Sequence, residues 1–299
     1  MTVSPLGGLL PEGSDAPDTP PHVTGTFDGD HVLVPLLTAE GSVVADQLEV
    51  AASLARASGA TLSVVDPTSA PRGAPETVRP ETVDDSLTER AGDRIAGSAT
   101  REDAVVYTRD LVAGVLRTVG TADVDTLVLP SSSRAGRVRT GLVDRIGAQA
   151  DCDVVVVNGQ ARYRSVASVL LPVAGGPHSG LAADLARAVA ADSGAWVDVL
   201  HVVGEEAPDW RRETARELVA DISTRVARPE TTTTWILEAD DPAEAIVDHS
   251  PCYDLTVIGA PTKGRLRQFI HGSTSQAVRE NARSVVLAAR SNSHSPDSD

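Results

Sequence analysis

Ser168-Val169-Leu170-Leu171-Pro172 is a short run of strand-forming residues stopped by proline, and His31-Val32-Leu33-Val34-Pro35 is a second run of the same kind. Proline cannot donate to a sheet ladder, so each run reads as a strand that ends there. A helical pattern follows each one. Val44, Leu48, Ala51 and Ala55 share a face in the first, with Ser42 as the expected N-cap. Leu181, Leu185, Ala188 and Asp192 fall at the same spacing behind Ser179 in the second. Gly59-Ala60 and Gly194-Ala195 close the two helices, as glycine does just past a helix end. Strands Thr61–Val65 and Trp196–Val203 come next.

The two halves keep step further along. Asp125-Thr126-Leu127-Val128-Leu129-Pro130 answers Asp254-Leu255-Thr256-Val257-Ile258-Gly259, and Val154–Val157 answers Val285–Leu287. Each half therefore reads as five strands alternating with helices, which predicts an α/β chain of two tandem open five-stranded parallel sheets flanked by helices. The expected domains are 30–160 and 165–290. A repeat of about 130 residues is a duplicated domain and not a solenoid unit. Residues 1–29, with PEGSDAPDTPP, and 291–299, SNSHSPDSD, read as disordered tails. Pro67–Pro80 is expected to be a mobile, proline-rich surface loop inserted in the first half.

Composition narrows the class. Of 299 residues, 41% are hydrophobic but only 3% aromatic, so the cores must be built of Val, Leu, Ile and Ala, which suits parallel sheets covered by helices. The net charge of -16 argues against nucleic acid as a partner. Lys263 is the only lysine; the acidity and arginine use point to a cytoplasmic protein of a halophile, whose self-repulsion is screened by salt. The N-terminus lacks a secretory pattern and no apolar run is long enough to insert in a membrane. Cys152 and Cys252 form no CxxC pair, so neither a disulfide framework nor a zinc site is expected.

The stretch from Val257 to Ser273 carries the functional question. A strand ends in Gly259, a loop with Thr262, Lys263 and Gly264 comes after it, and Gly272-Ser273-Thr274 opens a helix. Main-chain amides in such loops and at helix N-termini hold anions. A second turn, Ala174-Gly175-Gly176-Pro177-His178-Ser179, lies where the first strand of this half gives way to its helix. Ligands of open parallel sheets bind beyond the carboxyl ends of the strands, so the two turns are expected to face one ligand. Lys263 would supply charge to a phosphate, and the Thr262 and Ser273 hydroxyls would meet its oxygens. The plainer reading is a tight turn and a helix-entry loop that keep their glycines for backbone reasons. The locally basic loop Ser131–Arg139 is a further candidate for an anionic partner. No nucleophile sits in a recognised elbow and no ligand spacing for a metal occurs; Glu205-Glu206 and Asp240-Asp241 make no acid–base pair, and Asp241-Pro242 reads as a helix cap and first helical position. No enzyme activity and no required cofactor are expected.

The strands ending in Val-Pro or Leu-Pro, the Leu200-His201-Val202-Val203 segment and the loop before the last helix resemble the universal stress protein family, as two copies over residues 30–290. The resemblance implies a regulatory module of the stress response, with ATP or another adenine nucleotide as its ligand, its adenine meeting backbone groups near Val202 and the apolar Ile258. In the nucleotide-binding branch a Gly stands three residues after the first Gly of the loop; here that position is Thr262, with Gly264 two residues later. The branch also has an Asp just after the first strand, where this chain has Ala174 in one half and Leu37 in the other. The first half departs further, with Pro130 opening its loop. Val173–Ser179 and Gly259–Gly264 resemble a branch from halophilic archaea whose members accompany amino-acid and cation transporters. The resemblance thus implies a weak nucleotide or other small-anion site in the second half or, alternatively, a ligand-free module docking on a membrane transporter. The family also pairs its last strands across a dimer. Val154–Val157 and Val285–Leu287 are expected to pair within this chain as an internal pseudo-dimer, with a homodimer as the further assembly.

Overall fold

The computed structural model describes residues 27, 29–38, 40–73, 75–80, 100–131, 141–159, 163, 165–260, 277–279, 281–282 and 284–292. The first half runs β1 (His31–Pro35), α1 (Gly41–Ser58), β2 (Thr61–Ser69), β3 (Thr77–Pro80), β4 (Thr100–Thr108), α2 (Leu111–Thr121), β5 (Thr126–Pro130), α3 (Leu142–Gln149) and β6 (Asp153–Asn158). The second runs β7 (Ser168–Pro172), α4 (Pro177–Ser193), β8 (Trp196–Val203), α5 (Asp209–Val226), β9 (Thr232–Glu238), α6 (Pro242–His249), β10 (Leu255–Gly259) and β11 (Val285–Arg290).

Within each half five strands are parallel, in the orders β4-β2-β1-β5-β6 and β9-β8-β7-β10-β11. The expected pairing of the last strands is present: β6 and β11 run antiparallel, with Val157 opposite Leu287 and Val155 opposite Ala289. This seam merges the two expected sheets into a single sheet of eleven strands.

Three sequence expectations are corrected. Pro67–Pro80 is not a loop throughout, since β2 continues to Ser69 beside β4, and β3 adds an antiparallel edge strand. Proline is tolerated at position 67 because the Val65 carbonyl accepts from Leu36 on the β1 side. Two residues on, Pro67 faces that same side beyond the end of β1, where no ladder donor is needed. Ser42 and Ser179 are not N-caps. The helices start earlier, at Gly41 behind Glu40 and at Pro177 behind Gly176. Pro177 brings a helical φ to the first position, and Gly176, at φ 80°, takes the left-handed turn before it.

The sheet carries an apolar layer on each face. One, with α1, α4 and α5, crosses the seam: Ala51, Ala55, Ala182, Ala186 and Val189 are all inaccessible to solvent. Small side chains let α1 and α4 approach, and the Arg56 guanidinium holds the Asp192 carboxylate through two contacts of 2.8 and 2.7 Å, tying the halves together. The other layer, with α2, α3 and α6, contains Leu33, Leu127, Leu129, Ile146, Ile246 and Ile258. Phe27, on the N-terminal side, is buried in the first layer, and its N–H donates to Asp184 Oδ2 at 2.7 Å. At the other end Asn292 is tied to the first half through Asp153, Ala150 and Cys152. Among the described residues no helix is long and apolar enough to cross a membrane.

Candidate functional site

In the second half the chain leaves β7 outward to β8 and β9, then returns to β10 on the other side of β7. Where the winding reverses, the loops after neighbouring strands part and leave a crevice. A cavity of about 290 Å³ lies there. Its walls are Pro172 to Gly175 with Ser179, the Leu200-His201-Val202 end of β8, Ile258 to Ala260 after β10, and Pro242 and Ile246 of α6. Of the candidate residues, Ala174, Gly175, Ser179, Val202, Ile258 and Gly259 are thus brought together.

Each wall has a local cause. Gly175 and Gly176 take φ of 86° and 80°, a turn that side chains with a Cβ resist. The Ser179 hydroxyl closes the turn: it donates to the Gly175 carbonyl at 2.9 Å and accepts from the Ala174 N–H at 3.3 Å. Gly259 has a packing reason for being glycine. A Cβ there would stand 2.8 Å from the His178 carbonyl carbon and 3.0 Å from the Ser179 nitrogen, so the start of α4 lies directly against it.

The polar groups of the cavity are mostly main chain. The Leu200 carbonyl accepts from the Val173 N–H at 2.8 Å, and the Val203 carbonyl accepts from the Ala239 N–H at 2.8 Å. By the alternation of a strand, Val202 turns its N–H and C=O to the same side as Leu200, past the end of β7. A donor and an acceptor on one residue thus face the crevice. His201 donates from Nδ1 to the Val173 carbonyl at 2.7 Å, which fixes its tautomer and pins β8 to the turn after β7. Among the described residues the lining holds no charged side chain.

Gly176 and His178 are not part of the lining. His178 instead accepts at Nδ1 from the Ser291 N–H, 3.1 Å away, and so ties α4 to the end of β11. Burial, and then the nearby Arg290 charge, hold its imidazole below the usual histidine range. Thr262, Lys263, Gly264, Gly272, Ser273 and Thr274 lie outside the described residues, as does all of the basic loop but Ser131. The sequence reading missed Pro172, Val173, Leu200, His201, Pro242, Ile246 and Ala260 as lining. The signal for α6 was available, because Asp241 caps it as expected, accepting from the Ala243 and Glu244 amides at 2.8 and 3.1 Å, with Pro242 at the first helical position. Among the described residues no group of three or more His, Cys, Asp or Glu could hold a metal.

Known proteins place this architecture. Several solved structures share the fold across nearly the whole chain. A universal stress protein from Archaeoglobus fulgidus DSM 4304 aligns over 88% of this chain and 97% of its own, at 14% identity and a TM-score of 0.55. The functionally unknown protein PA1789 from Pseudomonas aeruginosa PAO1 aligns over 88% and 93%, at 16% identity and a TM-score of 0.58. The cytoplasmic domain of a prokaryotic cation chloride cotransporter aligns over 88% and 95%, at 12% identity and a TM-score of 0.56. The curated proteins searched gave no match. At the level of sequence, residues 166–290, the half that holds the cavity, match the model of the universal stress protein family.

Proposed function

We propose that the second half is a regulatory binding module and not an enzyme, and that its ligand is an adenine nucleotide such as ATP, held weakly. The observation that carries this reading is the Val202 donor–acceptor pair turned into an apolar cavity at the switch point. Such a pair matches the edge of adenine, which offers an amino donor beside a ring-nitrogen acceptor, and Ile258 and Ile246 supply apolar contact for its faces. Ala174 presents no carboxylate to a ribose, so this reading gives weak discrimination of the sugar. In it the phosphates are the part met by the loop the sequence singles out, with Lys263 as the cation and Thr262, Gly264, Gly272, Ser273 and Thr274 as its further candidate residues. The medium is cytoplasm of high potassium chloride.

Calorimetric titration with adenosine, ATP and inorganic phosphate at high potassium chloride tests it. Adenosine is expected to bind, and Ala174→Leu to abolish that binding. Lys263→Ala is expected to weaken ATP by about 1–2 kcal/mol, the scale of one charge-assisted hydrogen bond, and to leave adenosine unchanged. A second reading, a docking module for a membrane transporter, draws support from the shared fold of the cotransporter cytoplasmic domain. It gains if neither adenosine nor phosphate binds at millimolar concentration.

A further inference from the structure

The sheet has two ends, and they are finished differently. At one end β3 is four residues long and closes on Arg79 and Pro80, with the Arg79 guanidinium 5.6 Å over the Tyr107 ring. A short strand with charge and proline resists further pairing. At the other end β9 is seven residues long and reads Thr232-Thr233-Thr234-Trp235-Ile236-Leu237-Glu238, without charge or proline until its last residue. Six uncharged residues thus stand in a row on the open strand.

The chemistry of that edge is definite. The Ala239 N–H donates to Val203, so Thr233, Trp235 and Leu237 turn their main chain to β8. Thr232, Thr234, Ile236 and Glu238 turn theirs outward. Trp235 is 55% exposed, as is Trp196 on the neighbouring strand. Threonine and tryptophan favour strands, and exposed tryptophan is the side chain most enriched where interfaces form.

We propose that β9 is a docking edge for β9 of a second copy of this chain, paired antiparallel about a two-fold axis normal to the sheet. The molecule already joins strands in this manner at its β6–β11 seam. Such an axis preserves the faces of the sheet, so each residue meets one of the same parity. Centring the pair on Trp235 lets Thr234 and Ile236 exchange main-chain bonds across the axis and brings the two Trp235 side chains together in the close, non-hydrogen-bonded position. Charge is divided across that pairing, with Arg228 as its cation. Arg228, just before β9, makes no ion pair among the described residues; its guanidinium reaches only Thr231 Oγ1 at 3.4 Å, and Glu230 beside it faces solvent. Centring on Trp235 sets Arg228 opposite Pro242, beside Asp241, and sets Glu230 opposite Asp240, while Glu238 is held by Arg212 of its own chain at 2.8 Å. The net charge of -16 on each copy opposes association, so the dimer should strengthen with salt.

Sedimentation of the full chain at about 100 µM, where an association of micromolar strength is nearly complete, tests the proposal. A dimer is expected in potassium chloride of about 2 M, with a larger monomer fraction at low salt. Trp235→Ala should raise the dissociation constant by about tenfold or more. Thr234→Pro removes an outward N–H while sparing the β8 ladder, and should leave a monomer with an unchanged melting temperature. Should that variant fold poorly, Trp235→Ala and the surface change Arg228→Glu decide. A wild-type chain that stays monomeric in both salts overturns the proposal. So does a dimer that Trp235→Ala and Arg228→Glu leave equally tight.

Discussion

The two switch points of this sheet are built on one plan and furnished differently. β1 and β7 both end in proline, β5 and β10 occupy the same place in their halves, and α2 and α6 are each capped by an aspartate, Asp110 and Asp241. Position by position the first half puts Leu37 where the second has Ala174, Pro67 where it has Val202, and Pro130 where it has Gly259. Leu37 packs against the apolar layer, and the proline at 67 deletes the main-chain donor that Val202 turns into the crevice. Two halves of one topology can thus share a scaffold and still offer different side chains and main-chain donors at the winding reversal.

The strongest way to break the contrast is Gly259→Val. Its Cβ would stand 2.8 Å from the backbone at the start of α4, which has little freedom to retreat. A loss of about 2–4 kcal/mol is expected from urea unfolding, with adenosine binding abolished, whereas Pro130→Gly in the first half should cost far less. If Gly259→Val is neutral, α4 is not seated as described.

Exchanging residues sharpens the comparison. Ala174 is exposed, so Ala174→Leu should move the unfolding midpoint little while filling the second crevice. Leu37→Ala should cost about 1–2 kcal/mol, because Leu37 is only partly buried, and should not confer adenosine binding on the first half, where Pro67 still lacks the donor. Adenosine binding by the first half of that variant, shown by a second stoichiometric site, would contradict the role given to Val202.

A smaller difference lies in pH. His178 has its folded-state pKa depressed by burial and by Arg290, and α1 of the first half carries no histidine. Above the unfolded histidine value both states are neutral and the arrangement is fully stable. As pH falls through that value the unfolded chain takes up a proton that the folded site resists, so stability is lost toward acid. The melting temperature of wild type should therefore fall more steeply than that of His178→Gln between neutral pH and about pH 5. Parallel curves would show that the imidazole stays as free as in a peptide.

The smallest expected effect tests what the halves share. Asp110 accepts from the Val112 and Ala113 amides at 2.9 and 3.3 Å, much as Asp241 does in α6. Asp110→Ala and Asp241→Ala should each cost about 1 kcal/mol in thermal unfolding. A marked inequality would mean that the two halves do not carry equivalent caps.

Much of the fold was legible because strand runs bounded by Pro and Gly, and glycines after helices, act locally. Gly59 and Gly194 do take the left-handed conformation that ends α1 and α4. The seam was legible from the apolarity of Val154–Val157, which had to be covered, together with the resemblance to a family that pairs its last strands across a dimer. The helix starts were misread because Ser42 and Ser179 signal caps locally, while Pro177 and the turn before it settle the matter. The β2 extension was misread because a proline's cost depends on which neighbour its missing N–H would face, and that is a property of the assembled sheet. In the site, the turn glycines were found by type. Leu200, His201 and Ile246 were not, because apolar lining residues look like core until the strands are seen to diverge.

The β6–β11 seam has a consequence for how the chain opens. The strand that closes each half would be the least protected in isolation, yet in the eleven-stranded order β6 and β11 stand at or beside the middle. Their amides cannot exchange with solvent through fraying of an edge; they need the disruption of both halves at once. Deuterium uptake should therefore be slowest at Val154–Val157 and Val286–Ala289 and quicken outward toward β3 and β9, so that the last structure to yield is the one that neither half possesses alone.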